Sequence, residues 1–215
     1  MAWPDLTDIR SRVRTVINES TAGKWTDACI NRAINDAQRD IAIKTLCLTH
    51  VDSISTVADT RHVPFMGYTV KNVEYIPASG KKGLIRITPR MVGYVPVNGV
   101  TPQYWFQWDK NIYIEPLPNA VYALSVTIAD YPAGEMVADT DEPEIPTAFQ
   151  PLLVIGAAWR LLLRDGKFSS SAQLYKNTIN GIQIVKNNIV ETIPDGWENF
   201  KVPKQTVQRG VRLLP

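Results

Sequence analysis

The stretch that most limits what this chain can become is the apolar run at 151–163, PLLVIGAAWRLLL. Apart from Arg160 it is apolar on nearly every face, so as a helix it must pack on several sides at once. It is also too short to cross a membrane. The run is 13 residues long with an arginine inside, and a span needs about 20. A helix buried at the centre of a folded body meets both limits. Its start admits two readings. Thr147-Ala148-Phe149-Gln150 matches a capping box, in which the threonine hydroxyl and the Gln150 side chain satisfy free backbone N–H groups reciprocally. Alternatively, Pro151 is itself the first helical residue. Asp165-Gly166 ends the helix, because glycine takes the left-handed conformation at low cost. The run-in at 131–146 is acidic and broken by proline. Glu135, Asp139, Asp141, Glu142 and Glu144 place five acids and no base within ten residues. Pro143 and Pro146 keep this connector extended. Its acids are either a solvated loop or a surface for a basic partner.

Around that helix the period of the apolar residues changes twice. Ile9, Val13, Val16 and Ile17 recur at helical spacing in 5–19, with Arg10, Arg12 and Arg14 expected to face outward. Thr26 is a suitable N-cap for a second helix over 26–48, striped by Ile30, Ala33, Ile34, Ala37, Ile41 and Leu48. The two read as a helical hairpin. From Thr49 the period becomes 2. Strands are expected at 51–57, 70–76, 83–88, 103–108, 112–115 and 122–129, with Asp109-Lys110-Asn111 as the loop of the clearest hairpin. A fourth helix over 171–191 carries Tyr175, Ile179, Ile182, Val185 and Ile189 as its stripe. The expected fold is α+β. The N- and C-terminal helices form a four-helix body, a small antiparallel β unit is inserted, and an extended C-terminal arm follows. The boundaries fall at 1–50, 51–131, 132–191 and 192–215, with 1–50 and 132–191 sharing one helical body.

Composition narrows the function more by exclusion than by signal. The net charge is +2 over 215 residues, so a strong general nucleic-acid footprint is lacking. The start MAWPD has neither the basic residues nor the apolar run of a signal peptide. Cys29 and Cys47, read as lying in one helix, would stand about 27 Å apart along its axis, beyond disulfide reach. Buried thiols in a protein made in a reducing compartment are expected. His50 and His62 are the only histidines, and Cys47 with His50 is not the paired ligand cluster of a zinc site. His50, Asp52 and Ser53 are too close in sequence for a catalytic triad, which is defined by spatial roles. The acidic connector lacks the spacing of a calcium loop. Ser79-Gly80-Lys81-Lys82-Gly83 misses the phosphate-loop pattern, having no earlier glycine and no Ser or Thr after the lysine. It reads as a solvent-facing hairpin loop, with Lys81 and Lys82 available for a nonspecific DNA-phosphate contact. Tyr104, Trp105, Phe106 and Trp108 read as a sheet core with one exposed aromatic. The chain is therefore expected not to be an enzyme and to need no cofactor and no metal.

The order of elements carries a resemblance. Trp25-Thr26-Asp27 leads into Ile34-Asn35-Asp36-Ala37-Gln38-Arg39-Asp40-Ile41-Ala42. The β unit contains Ile114-Glu115-Pro116-Leu117-Pro118. Asp130-Tyr131-Pro132-Ala133 precedes Met136 and the acids, and Ile145-Pro146 precedes Gly156-Ala157-Ala158. Over roughly residues 5–191 the chain resembles the head-to-tail adaptor (connector) proteins of tailed bacteriophages. The resemblance implies a structural virion protein of the head–tail junction, synthesised in the host cytoplasm. It implies a ring, usually of twelve copies, under the portal protein. Such a ring extends the channel for double-stranded DNA and docks tail or nozzle components, with no sequence-specific DNA binding and no membrane. The alternative is a nonspecific nucleic-acid-binding module using the 77–83 loop and an exposed aromatic, with Trp105 as the candidate.

A ring interface is heterologous, so one surface must match a different one on the next copy. Asp139, Asp141 and Glu142 are expected to meet Arg10, Arg12, Arg14, Arg32 and Arg39 there. The segment 195–215 has four basic residues against two acidic ones, a net charge of +2. Extended, it would reach about 70 Å. It is expected to be a docking arm for the portal or a neighbouring copy, with Leu213 and Leu214 as apolar anchors and Lys204, Arg209 and Arg212 as carboxylate seekers.

Overall fold

The computed structural model describes residues 4–19, 23–95 and 100–190, the last five of these by backbone alone. It is a mixed α and β structure with four α-helices and two sheets. Helix α1 spans Leu6–Ile17 and buries Leu6, Ile9, Val13 and Ile17. Asp5 caps it by accepting from the Asp8 amide, and Asn18 closes it in the left-handed conformation. Helix α2 spans Asp27–Thr45, capped by Thr26, and stops at Leu46 with φ 53°. The expected end at 48 is therefore too late, and Cys47 lies outside the helix that holds Cys29. Leucine is an unusual left-handed residue, so no sequence signal marked this stop.

Helix α3 spans Gln150–Arg164. The capping box does not form. Thr147–Phe149 is a separate 3-10 turn without a side-chain cap, and Gln150 turns into the core, 7% exposed. Pro151 is the second residue of α3, one place later than the other reading. Helix α4 spans Phe168–Val190 and lies against α3 after the turn at Gly166. Its buried side keeps part of the expected stripe, Ile182 with half-buried Ile179 and Val185, and loses Tyr175. Ser171, Thr178 and Ile182 are buried while Tyr175 is 45% exposed. Small residues set this face: a Cβ on Gly181 would lie 2.4 Å from Leu152 Cδ2, and one on Gly156 would lie 3.1 Å from the Ala37 Cβ. The helices approach where side chains are smallest, and the bulkier Tyr175 is displaced outward to meet Trp159 edge-on. One apolar core joins residues of all four helices to Met136 and Ile145 of the connector.

The intervening strands form two four-stranded sheets. The first has the order β1 (Thr49–Ser55), β8 (Ala123–Ala129), β3 (Thr69–Tyr75), β4 (Lys82–Gly83). The second has β2 (His62–Pro64), β7 (Asn111–Glu115), β6 (Tyr104–Trp108), β5 (Ile85–Arg86). The single strand expected at 83–88 is two, because the chain leaves one sheet after Gly83 and enters the other at Ile85. Buried Leu84 makes the crossing. The unit is also not wholly antiparallel, since β5 pairs with β6 in parallel. The β6–β7 turn has two residues, Asp109 and Lys110, with Asp109 at φ 52°. The inner faces meet in a second core of Val70, Val73, Trp105, Ile112, Ile114, Leu124, Val126 and Ile128, the packing of a sandwich.

Candidate functional site

The connector at 130–146 is strapped to the helices by hydrogen bonds from both of its chain directions. The Leu6 amide donates to the Asp141 carbonyl at 2.9 Å, and the Thr7 amide donates to the Asp139 carbonyl at 3.3 Å. Asn35 grips the Met136 backbone at both ends: its Nδ2 donates to the carbonyl and its Oδ1 accepts from the amide, each at 3.0 Å. Gln38, only 1% exposed, accepts from the Glu144 amide at 3.2 Å.

Most acids of the connector serve it from within. Asp141 Oδ2 accepts from the Val137 and Ala138 amides at 2.7 and 2.8 Å. Glu144 accepts from the Ala133 and Gly134 amides. Asp139 pairs with Arg10 at 2.6 Å. Only Glu135 and Glu142 are exposed without an ion pair or hydrogen bond to the described residues.

The arginines divide in the same way. Arg10 and Arg14 do not face outward as the sequence suggested. The Arg10 guanidinium reaches Asn31, Asp27 and Asp139 together. Arg14, 8% exposed, donates to Asp27 Oδ1 at 2.6 Å and to the Trp25 carbonyl at 3.0 Å. The Arg14 hydrogen bond holds the Asp27 carboxyl below its usual range, with further help from the charge of Arg10. The Glu19 carboxyl is also lowered, first by the Trp25 amide that it accepts from. Arg12, Arg32 and Arg39 are exposed and make no ion pair or hydrogen bond with the described residues. Arg39 and Glu135 line one polar cleft of about 270 Å³ between α2 and residues 132–135.

The other site residues lie elsewhere. Lys81 is engaged at home, 3.3 Å from Glu74 and 3.4 Å from Ser125 Oγ, whereas Lys82 is exposed in β4. Trp105 is 1% exposed and offers no stacking face; of the four aromatics in 104–108 the exposed one is Trp108, at 61%. Lys204, Arg209, Arg212, Leu213 and Leu214 lie outside the described residues. Sequence reading missed Asp27, Asn31, Asn35 and Gln38. A signal existed for two of them: Asn35 and Gln38 interrupt the apolar stripe of α2 between Ile34 and Ile41, where a polar side chain needs a partner.

The sequence matches the family model of the SU10 adaptor protein over residues 4–192. The chain belongs to the SU10 adaptor protein family. A comparison with curated proteins finds no match. Membership makes this adaptor a structural component of a bacteriophage virion at the head–tail junction, a role that implies portal and tail contacts. Among the described residues, no helix is long and apolar enough to cross a membrane, and no group of three or more His, Cys, Asp or Glu could hold a metal ion.

Proposed function

We propose that this adaptor assembles as a closed ring under the portal, twelve copies by the usage of its family. The ring extends the channel through which double-stranded DNA passes and docks tail or nozzle proteins on its far side. The helices act as the wedge-packed body and residues 51–131 as a separate projecting part, divided at 50/51 and 131/132. The observation that carries this reading is the split among the charges. Arg10, Arg14, Asp139 and Asp141 hold the subunit together, and Arg32, Arg39, Glu135 and Glu142 are left facing solvent. Opposite charges on different elements of one subunit suit a heterologous contact, in which Arg32 and Arg39 of one copy meet the connector acids of the next. Each exposed pair contributes little, about 0–1 kcal/mol, and the set fixes register and rejects wrong partners. Arg10, Arg14, Asp139 and Asp141 then shape the interface by positioning the connector. Residues 195–215 are the docking arm, with Lys204, Arg209, Arg212, Leu213 and Leu214 as its contacts. Lys82, with Lys81 behind it, is available to passing DNA phosphates.

The test is the mass of the purified protein alone and with candidate portal proteins. A ring, or a portal complex, weakened by Glu142→Lys and restored by Glu142→Lys combined with Arg39→Glu, is the expected result. A monomer that ignores every portal offered would overturn the reading.

A further inference from the structure

Among the described residues, strand β1 is an open edge. It pairs with β8 on one side only, over all seven of its residues. The flanking bonds, Asp130 amide to Leu48 carbonyl and Thr56 amide to Tyr122 carbonyl, fix the alternation. Even-numbered residues exchange hydrogen bonds with β8, so Thr49, Val51, Ser53 and Ser55 present their N–H and C=O groups outward. Three of the other strand ends in these sheets are two or three residues long, and β2 ends in Pro64. β1 has neither proline nor lysine among the devices that usually blunt an edge, and Val51 stands 62% exposed. Its one carboxylate is Asp52. Asp52 lies 3.5 Å from His50 Nε2, with Asp130 3.8 Å from His50 Nδ1. Two copies pairing here about Asp52 would set carboxylate against carboxylate, so the edge rejects itself and suits a basic strand.

We propose that this edge seats the chain's own C-terminal segment, residues 204–214, as an added antiparallel strand. The inference rests on reading 195–215 as a docking arm and names its seat. Pro203 and Pro215 bound eleven residues without proline, KQTVQRGVRLL, in which Thr206, Val207 and Val211 favour strand. The 13 residues 191–203 before it allow a tether of up to about 45 Å. Setting Arg209 opposite Asp52 brings Val207 to Ile54, Val211 to His50 and Thr206 to Ser55. Asp52 is a non-hydrogen-bonded position on that side, where facing side chains come closest. Gln208 and Thr206 then bond to the outward groups of Ser53 and Ser55. This is recognition by strand addition, with main-chain bonds giving affinity and the charge pair giving register.

Residue-resolved hydrogen exchange on the full chain tests it, against the double variant Thr206→Pro with Gln208→Pro. The amides of Asp52 and Ile54 are bonded to β8 and serve as the internal control. The amides of Val51, Ser53 and Ser55 should exchange slowly in the wild type and on the order of tenfold faster in the variant, with Asp52 and Ile54 unchanged. Equal exchange at 51, 53 and 55 in both proteins, fast or slow, overturns the seat. Deleting 203–215 and measuring portal binding separates this from the parent reading. Lost portal binding without edge protection leaves the arm and removes the seat. Edge protection with normal portal binding keeps the seat and removes portal docking.

Discussion

The helical and β parts of this adaptor are stabilised in different ways. The helices come from opposite ends of the chain and are joined by polar ties of very long sequence separation, such as the Thr7 hydroxyl to the Asp139 carbonyl, 132 residues apart. The β sandwich closes on the apolar cluster around Trp105, with polar ties of shorter sequence separation, such as Gln107 accepting from Thr69 and Val70 and the Arg61–Glu115 pair. Alternation writes the apolar face of the sandwich. The helices depend as well on polar ties between residues from 101 to 132 positions apart. The largest expected effect would sharpen this contrast. Phe149→Ala in the helical core and Trp105→Ala in the sandwich should each cost about 3–5 kcal/mol, since both side chains are almost fully buried. Hydrogen exchange should rise mainly in the half that carries the substitution. Equal loss in both halves from either change would show one cooperative unit.

Two glycines with nearly the same clash make a finer comparison. A Cβ on Gly67 would lie 2.3 Å from Ile128 Cγ2, and one on Gly181 would lie 2.4 Å from Leu152 Cδ2. Gly67 has φ +137°, which L residues rarely adopt, and its neighbour is a β-branched side chain with little rotamer freedom. Gly67→Ala should therefore cost about 1–3 kcal/mol. In Gly181→Ala the neighbour is the flexible tip of a leucine, and the helix gains about 1 kcal/mol of propensity. That variant should be close to neutral in urea denaturation. A large loss at Gly181 would mean that α3 and α4 cannot separate at all.

These contrasts explain what was legible in the sequence. The strands at 103–115 and 122–129 were readable because a half-buried sheet writes its face into every second residue. Helix α3 was readable because its length and apolarity left one solution. The burial face of α4 was readable only in part: Ile182 keeps its place, but with close approach at Gly181 and Gly156 Tyr175 lies outside. Arg10 and Arg14 were misread as surface residues because periodicity records which positions are charged and not where their partners lie. Asp27 and Asp139 are 112 residues apart in sequence and meet on the same guanidinium. The split of 83–88 between two sheets had no local signature, since Leu84 fits either strand.

A third prediction breaks the helical ties directly. Arg14→Met keeps the buried stem and removes the charge, and it should cost about 1–2 kcal/mol at neutral pH. The sign with pH follows from Asp27. Its folded carboxyl is lowered by the Arg14 hydrogen bond, so its contribution is full above the unfolded carboxylate pKa of about 3.9. That contribution is lost as pH falls through the lowered folded value. The gap between wild type and Arg14→Met should shrink below pH 4 in urea midpoints. A constant gap would assign the effect to packing. No such pH-dependent gap is expected for Trp105→Ala.

The smallest effect on the subunit should fall at Glu142, and that is its use. Glu142 is exposed on the connector beside residues that are all engaged: Asp141 holds two amides and Pro143 is buried. Glu142→Lys removes no hydrogen bond within the described residues, so folding stability should stay within about 0.5 kcal/mol of wild type. Asp139→Lys is the matched control from the same loop. It breaks the 2.6 Å pair with Arg10 and leaves two cations close together, so it should lower stability as well as any assembly. The two variants separate a charge that shapes the subunit from one that is free to meet another copy. Sedimentation at low and high salt, run beside thermal unfolding, reads both properties. Glu142→Lys should show normal unfolding with weakened, salt-sensitive assembly. If both variants assemble normally while only Asp139→Lys loses stability, the connector acids belong wholly to their own subunit, and the ring contact must be sought on α4 or the β edge.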